Sequence, residues 1–308
     1  MYLSYFGLRE FPFNLTPDVD FAFHARPYQE ALNTLLLALA NGEGFLKVTG
    51  EVGTGKTLLC RWLLDQFGDD TVSAYLPNPN LNPHQMLRAL AGELGQRLRP
   101  RDEADPYRAL ERRLLTLATG GHRVLLCIDE AQALPIESLE TLRLLSNLET
   151  GKNKLLQIVL FGQPEFDTLL ERAPLRSLAS RITFSARLTP LSADAASAYL
   201  EHRLTVAGWS GPMPFSPPAS RLLWLASGGV PRRINALAHK SLLLAFGAGT
   251  QRVNARMVWQ AWRDAAPTPG TLRALAWPLR AALWGANMSV PGRSQALTPE
   301  RAAWRVAQ

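Results

Sequence analysis

Cysteine is scarce: only Cys60 and Cys127 occur in 308 residues. One falls in a helix-like stretch and the other in an apolar run, so both read as core thiols and no disulfide framework is expected. The five histidines, at 24, 84, 122, 202 and 239, show no metal-ligand spacing, and a zinc site is not expected. No apolar run reaches the roughly 18 residues that a conventional membrane span requires. The chain opens Met1-Tyr2-Leu3-Ser4-Tyr5, without a basic segment leading into an apolar one, so no signal peptide is read and a cytoplasmic location is expected.

What is present is apolar and locally ordered. A hydrophobic content of 47% over this length supplies a large core, enough for one large or two modest domains. The run Gly50-Glu51-Val52-Gly53-Thr54-Gly55-Lys56-Thr57 fits G-x-x-x-x-G-K-[ST] at every fixed position. It follows the strand-like Phe45-Leu46-Lys47-Val48-Thr49 and precedes the helix-like segment that starts at Leu58. Glycines at 50, 53 and 55 let the backbone fold around an anion, and the positive end of the next helix adds to the attraction. Lys56 then reaches the β- and γ-phosphates of a nucleotide such as ATP, and the Thr57 hydroxyl is placed to ligate Mg²⁺ between them. A glycine-rich turn that matches by chance is the competing reading, and the strand-loop-helix setting disfavours it.

Hydrolysis needs more than a phosphate loop. Val124-Leu125-Leu126-Cys127-Ile128 has the continuous apolar character of a buried parallel strand and ends in Asp129-Glu130. Asp129 is placed to hold Mg²⁺ through its water shell and Glu130 to polarise an attacking water. An ordinary acidic turn is the plainer alternative.

The first 26 residues read as an irregular arm rich in phenylalanine, followed by an amphipathic helix from Tyr28 to Ala40 behind Pro27. Strand-like runs at 45–49, 72–76, 124–128, 155–161 and 182–187 alternate with helical patterns at 82–98, 106–119, 136–149 and 165–172. That alternation predicts an α/β fold, a parallel sheet covered on both faces, across 27–190. Helical patterns alone fill 191–266, at 193–207, 217–227, 232–246 and 254–265, which predicts a small all-helical lid domain.

The chain resembles the ExeA/GspA group of AAA+ ATPases over about residues 1–266. The resemblance is carried by Phe6-Gly7-Leu8, Pro12-Phe13, Thr16-Pro17-Asp18, Gly50 to Thr57 and Ile128-Asp129-Glu130-Ala131-Gln132. Leu160-Phe161-Gly162-Gln163-Pro164-Glu165, Leu178 to Ile182, Tyr199 to Leu204 and Gly229-Val230-Pro231-Arg232-Arg233-Ile234-Asn235 extend it. Length and opening are most similar to the members associated with mannose-sensitive haemagglutinin (MSHA) type IV pili. The resemblance implies an ATP-hydrolysing, Mg²⁺-dependent AAA+ ATPase that assists assembly of a type IV pilus or a type II secretion apparatus. It also implies a homo-oligomeric ring or filament, with assembly proteins at the inner membrane as partners.

Residue by residue, the same resemblance implies that Gly50 to Leu58 cradle the nucleotide. Gln163 senses the γ-phosphate or orients the water, for which an amide suits because it both donates and accepts. Arg232, with Arg233 as its rival, is the second sensor that reaches from the lid. Arg181, with Arg176 as its rival, is the arginine finger supplied to a neighbouring subunit. The segment before the phosphate loop packs near the base in related ATPases, which offers Phe13, Phe21, Phe23 or Tyr28 as a border to adenine; rings that only cover the sheet edge or the first helix are the alternative.

The resemblance ends near Pro267-Thr268-Pro269-Gly270, a linker signature. Fuller ExeA-type proteins continue through a membrane span to a peptidoglycan-binding domain, and with neither expected here, direct attachment to the cell wall is not expected. Residues 267–308 carry five arginines against Glu300, +4 of the net +7. Leu272, Leu275, Leu279 and Leu283 share a helical face beside Arg273 and Arg280, which suits an anionic membrane interface, although Pro278 weakens a helix there. A structureless linker is the alternative. The competing functional class is a transposition-type AAA+ regulator that oligomerises on DNA. Outside the tail, 28 basic residues face 25 acidic ones, a balance that disfavours a nucleic-acid partner.

Overall fold

The computed structural model describes residues 2–16, 20–77, 80–97, 105–149 and 154–265. Five parallel strands form one sheet: β1 (Phe45–Gly50), β2 (Thr71–Leu76), β3 (Arg123–Ile128), β4 (Gln157–Gly162) and β5 (Phe184–Leu188), in the spatial order β2-β3-β4-β1-β5. Each strand coincides within two residues with an apolar run of the sequence. Strands β3 and β4 are buried almost end to end, as parallel strands covered on both faces must be.

Strand periodicity sorts the two faces. Val124, Leu126 and Ile128 join Ile158 and Leu160 in a cluster closed by Met86 and Leu90 of α4 (Pro83–Glu93), Leu110 and Leu114 of α5 (Pro106–Thr119), and Leu139 and Leu142 of α6 (Ile136–Leu145). On the other face Cys127 meets Cys60 of α3 (Lys56–Asp65), and that contact together with burial drives the Cys60 thiol far above its ordinary pKa. Both thiols are free and fully buried. Helix α2 (Arg26–Ala40) packs against α3 and β5.

Helix α4 shows why its ends fall where they do. Asn82 and Gln85 form a reciprocal capping box ahead of Pro83, with Gln85 N–H donating to Asn82 Oδ1 at 2.9 Å and Asn82 N–H to Gln85 Oε1 at 3.1 Å. The helical pattern suggested 82–98, but the helix stops at Glu93. Gly95 takes φ 71°, and the amides of Gly95 and Gln96 turn back to the carbonyls of Gly92 and Ala91.

After β5 no further strand follows among the described residues. Helices α9 (Ala193–Val206), α10 (Pro217–Ser227), α11 (Pro231–Gly247) and α12 (Ala255–Ala265) pack together, with α7 (Glu165–Leu170) and α8 (Arg176–Ala179) completing the numbering before β5. Gly229 sits at the junction with φ 72°, where a Cβ would lie 2.3 Å from the Leu191 carbonyl, so only glycine fits.

The arm expected to be irregular contains a short helix, α1 (Tyr2–Phe6). Five residues are too few to be helical alone, and the turn exists because its rings are buried against the C-terminal helices. Tyr2 donates to or accepts from His239 Nδ1 at 2.9 Å and meets Phe6 and Phe11 edge-on, and Phe6 meets Trp209. The interfacial helix expected at 272–283, the rest of 267–308, and Pro17-Asp18 of the opening motif lie outside the described residues.

Candidate nucleotide site

The registers of the strands place three chain segments on one rim. Thr49 pairs with Gly162, and Ile128 with Leu160, so the loop after Gly50, the pair Asp129-Glu130 and Gln163 all emerge at the C-terminal edge of the sheet. Open parallel sheets bind ligands at that edge.

Glycine is required throughout the loop. A Cβ on Gly50 would lie 2.8 Å from Thr54 Oγ1 and 3.0 Å from the Leu188 carbonyl, while Gly53 and Gly55 take φ of 83° and 95°. The first intrahelical bond of α3 runs from Leu59 N–H to Gly55 O at 2.9 Å, which leaves the amides of Lys56, Thr57 and Leu58 ahead of it for an anion. Lys56 is 5% exposed and donates from Nζ to Gly50 O at 2.8 Å and Glu51 O at 3.1 Å. Burial lowers its pKa, opposed by the charges of Glu130, Asp129, Glu51 and Glu165.

Thr57 Oγ1 donates to Asp129 Oδ2 at 2.5 Å, so the two oxygens converge at one point. Hard oxygen donors in that arrangement suit Mg²⁺, which keeps most of its shell from water and phosphate. Burial raises the Asp129 pKa, opposed by the bonds from Thr57 and from the Glu130 amide.

Glu130 is the only non-glycine residue with positive φ among those described, at φ 52° and ψ 40°. A side chain held in the left-handed region costs about 1–2 kcal/mol, so its neighbours must over-determine it. Two amides do so. Gln132 Nε2 and Gln163 Nε2 both donate to Glu130 Oε2, at 2.5 and 2.8 Å, and the main-chain N–H of Gln163 donates to Gln132 Oε1 at 3.0 Å. Gln163 thus lies beside Glu130. Gln132 had no assigned role, because a bond between side chains two residues apart in a tight turn leaves no periodic trace in sequence.

The C-terminal helices reach the same loop. Arg232 N–H donates to Gly53 O at 3.2 Å, and a Cβ on Gly53 would lie 2.6 Å from Arg232 Cβ. The stem of Arg232 therefore sits on the loop, whereas the main-chain N–H of Arg233 bonds within its own turn, and both residues are exposed. Arg181 Nη1 donates to Ser146 Oγ at 3.1 Å, and Arg176 is exposed. Neither Arg181 nor Arg176 has a hydrogen bond to the phosphate loop of its own chain among the described residues.

The rings of the arm divide. Phe13 packs on Phe215, away from the loop. Tyr28 OH donates to the Thr54 carbonyl, His24 stacks on Trp62 of α3 at 4.5 Å, and Phe21, Phe23 and Tyr28 line a cleft that reaches Gly55 and Leu58. A far larger groove of 1090 Å³ lies beneath Trp209 and Trp224 of the helical region, remote from these carboxylates.

A parallel sheet in this order, a glycine loop feeding a helix and carboxylates at the end of β3, one strand removed from β1 across β4, define an AAA+ ATPase. The AAA domain family matches residues 39–170. The chain is 41% identical over 257 residues to general secretion pathway protein A of Aeromonas hydrophila, a match spanning 82% of this chain and 46% of that protein. It belongs to the ExeA/GspA-type AAA+ ATPases and spans about half the length of that relative. The fold is also similar to the Aeropyrum pernix ORC2 protein, with a TM-score of 0.58 and 21% identity, covering 79% of this chain and 71% of that one. Drosophila ORC bound to DNA gives a TM-score of 0.61 at 18% identity, covering 83% and 66%. At such identities the likeness concerns the fold alone. Among the described residues no helix is long and apolar enough to cross a membrane.

Proposed function

We propose that the chain binds Mg·ATP at the phosphate loop and hydrolyses it to ADP and phosphate, using the cycle to assist assembly of a secretion or type IV pilus apparatus. The observation that carries this reading is the convergence of Lys56, the Thr57–Asp129 pair and the amide-held Glu130 on one rim of the sheet. The amides of Lys56, Thr57 and Leu58 bind the phosphates, and Lys56 exchanges two loop carbonyls for phosphate oxygens. Thr57 and Asp129 would hold Mg²⁺, which neutralises charge on the transferring phosphoryl. Glu130 takes a proton from the attacking water through Oε1, since Oε2 already accepts from Gln132 and Gln163. Those two amides orient the carboxylate.

Arg232 couples the helical region, residues 191–266, to the α/β region, residues 27–190, because its helix begins on Gly53. Arg181 serves a neighbouring subunit of a homo-oligomer as the arginine finger. The link to secretion follows from the Aeromonas relative's name, and the MSHA-type pilus is the finer reading of the same resemblance. Calorimetric titration with ATP should show binding lost in Lys56→Ala and kept in Glu130→Gln, with turnover lost in both. Unchanged ATP affinity in Lys56→Ala would overturn the site, and turnover within about two-fold of wild type in Glu130→Gln would remove Glu130 as the base.

A further inference from the structure

Beside the phosphate loop lies a narrow cleft of about 50 Å³, walled by Phe21, Phe23, Tyr28 and Tyr199 and bounded by Gly55 and Leu58. Arg203, on helix α9, lines the same cleft and is 5% exposed. Its Nε donates to Pro12 O at 2.5 Å, its Nη1 to Tyr199 OH at 3.4 Å, and its plane lies 4.6 Å over the Phe21 ring. Nη2 is left over, shielded from solvent and without a partner. A buried guanidinium N–H with no acceptor carries its full desolvation penalty, so such a group in a native site calls for a ligand.

We propose that Arg203 is a base-reading residue, whose Nη2 donates to a ring nitrogen of the nucleotide purine seated in this cleft. The inference rests on the nucleotide-binding reading above and adds to it the group that recognises the base. Gly55 and Leu58 fix where the phosphates end and the cleft begins, and aromatic walls offer faces for a planar heterocycle. Adenine presents only acceptors at N1, N3 and N7, the complement of a lone donor. A purine is larger than this cleft, so binding requires Phe23, the half-buried ring, to turn aside while Arg203 is held by its two other bonds.

The test uses the full chain and titrates it with ATP and with its 1-deaza, 3-deaza and 7-deaza analogues, each lacking one ring acceptor. One analogue should bind about five-fold or more weakly than ATP, because it leaves Nη2 unpaired, while the other two bind like ATP. In Arg203→Met, which keeps a long stem without a donor and is checked for folding by its melting curve, that analogue and ATP should bind within about two-fold of each other. If all three analogues match ATP in the wild-type chain, or if the deficit persists undiminished in a folded Arg203→Met protein, Arg203 does not read the base. Failure of ATP itself to bind would strike the nucleotide reading instead, so the two failures are distinct.

Discussion

Gly53→Ala isolates the contact between the phosphate loop and the C-terminal helices. Gly53 takes φ 83°, and an added Cβ would meet Arg232 Cβ at 2.6 Å, a backbone-anchored atom that cannot swing away. Left-handed backbone costs a residue with a Cβ about 1–2 kcal/mol. Moving helix α11 off the loop also breaks the bond from Arg232 N–H to Gly53 O, a loss of about 0.5–1.5 kcal/mol. The two together come to about 1.5–3.5 kcal/mol, which corresponds to a roughly 10- to 300-fold loss of ATP affinity at 1.4 kcal/mol per decade. Displacement of a fluorescent ATP analogue measures it directly. In an Arg232→Gly background the colliding Cβ is gone, so Gly53→Ala should cost less affinity relative to that parent than it does in the wild-type chain. Affinity within about two-fold of wild type in Gly53→Ala would refute the reasoning, since neither the backbone conformation nor the Arg232 contact could then belong to the binding state.

Arg181→Ala should leave ATP binding intact and lower turnover, and mixing it with Lys56→Ala should recover some activity; a mixture as inactive as its parents despite proven co-assembly counts against action across subunits. Gly92→Ala lies within helix α4 with nothing within 4 Å of the added Cβ, so it should raise stability by about 0.5–1 kcal/mol in urea denaturation, and a lowered midpoint would contradict the helical environment. Burial lowers the His239 pKa below its ordinary 6.5, so the neutral ring belongs to the fold. The stability it lends is complete above pH 6.5 and drains as pH falls below that value, because the unfolded chain then binds the extra proton. His239→Gln should therefore flatten the fall in melting temperature between about pH 7.5 and 5.5, and a fall as steep as wild type would exclude His239 as its source.

Most of the α/β framework was legible because its signals are local and redundant. Val124 to Ile128 is apolar on both faces, and the loop from Gly50 to Thr57 has a backbone shape that only its glycines allow, so strand and loop could be placed from short windows. The sheet order was not written in any such window, since it depends on which crossovers pack. Nor was the fate of the arm, because phenylalanines spaced irregularly show no face, and only the fold reveals that Phe13 turns to Phe215 while Phe21 and Phe23 turn to the cleft. Gln132 and Arg203 were hidden for a related reason. Each acts through a single bond, or the lack of one, between side chains whose meeting no period encodes. Glu130 was read as a carboxylate of interest, yet its left-handed backbone came from the tight turn and the two amides that hold it. Arg181 stands apart, since the group it is proposed to serve belongs to another copy of the chain.

Strand β5 has a practical consequence for anyone dividing this protein. The stretch matching the AAA domain ends at residue 170, yet β1 is hydrogen-bonded along its whole length to β5, from Leu46 opposite Phe184 to Gly50 opposite Leu188. A fragment cut at residue 170 would strip that neighbour from the strand that carries the phosphate loop, turning an interior strand into an edge with unpaired N–H and C=O groups. Such an edge invites pairing with other chains, so the truncated piece should aggregate where the longer one stays dispersed, and the shortest usable ATPase fragment must run past Leu188.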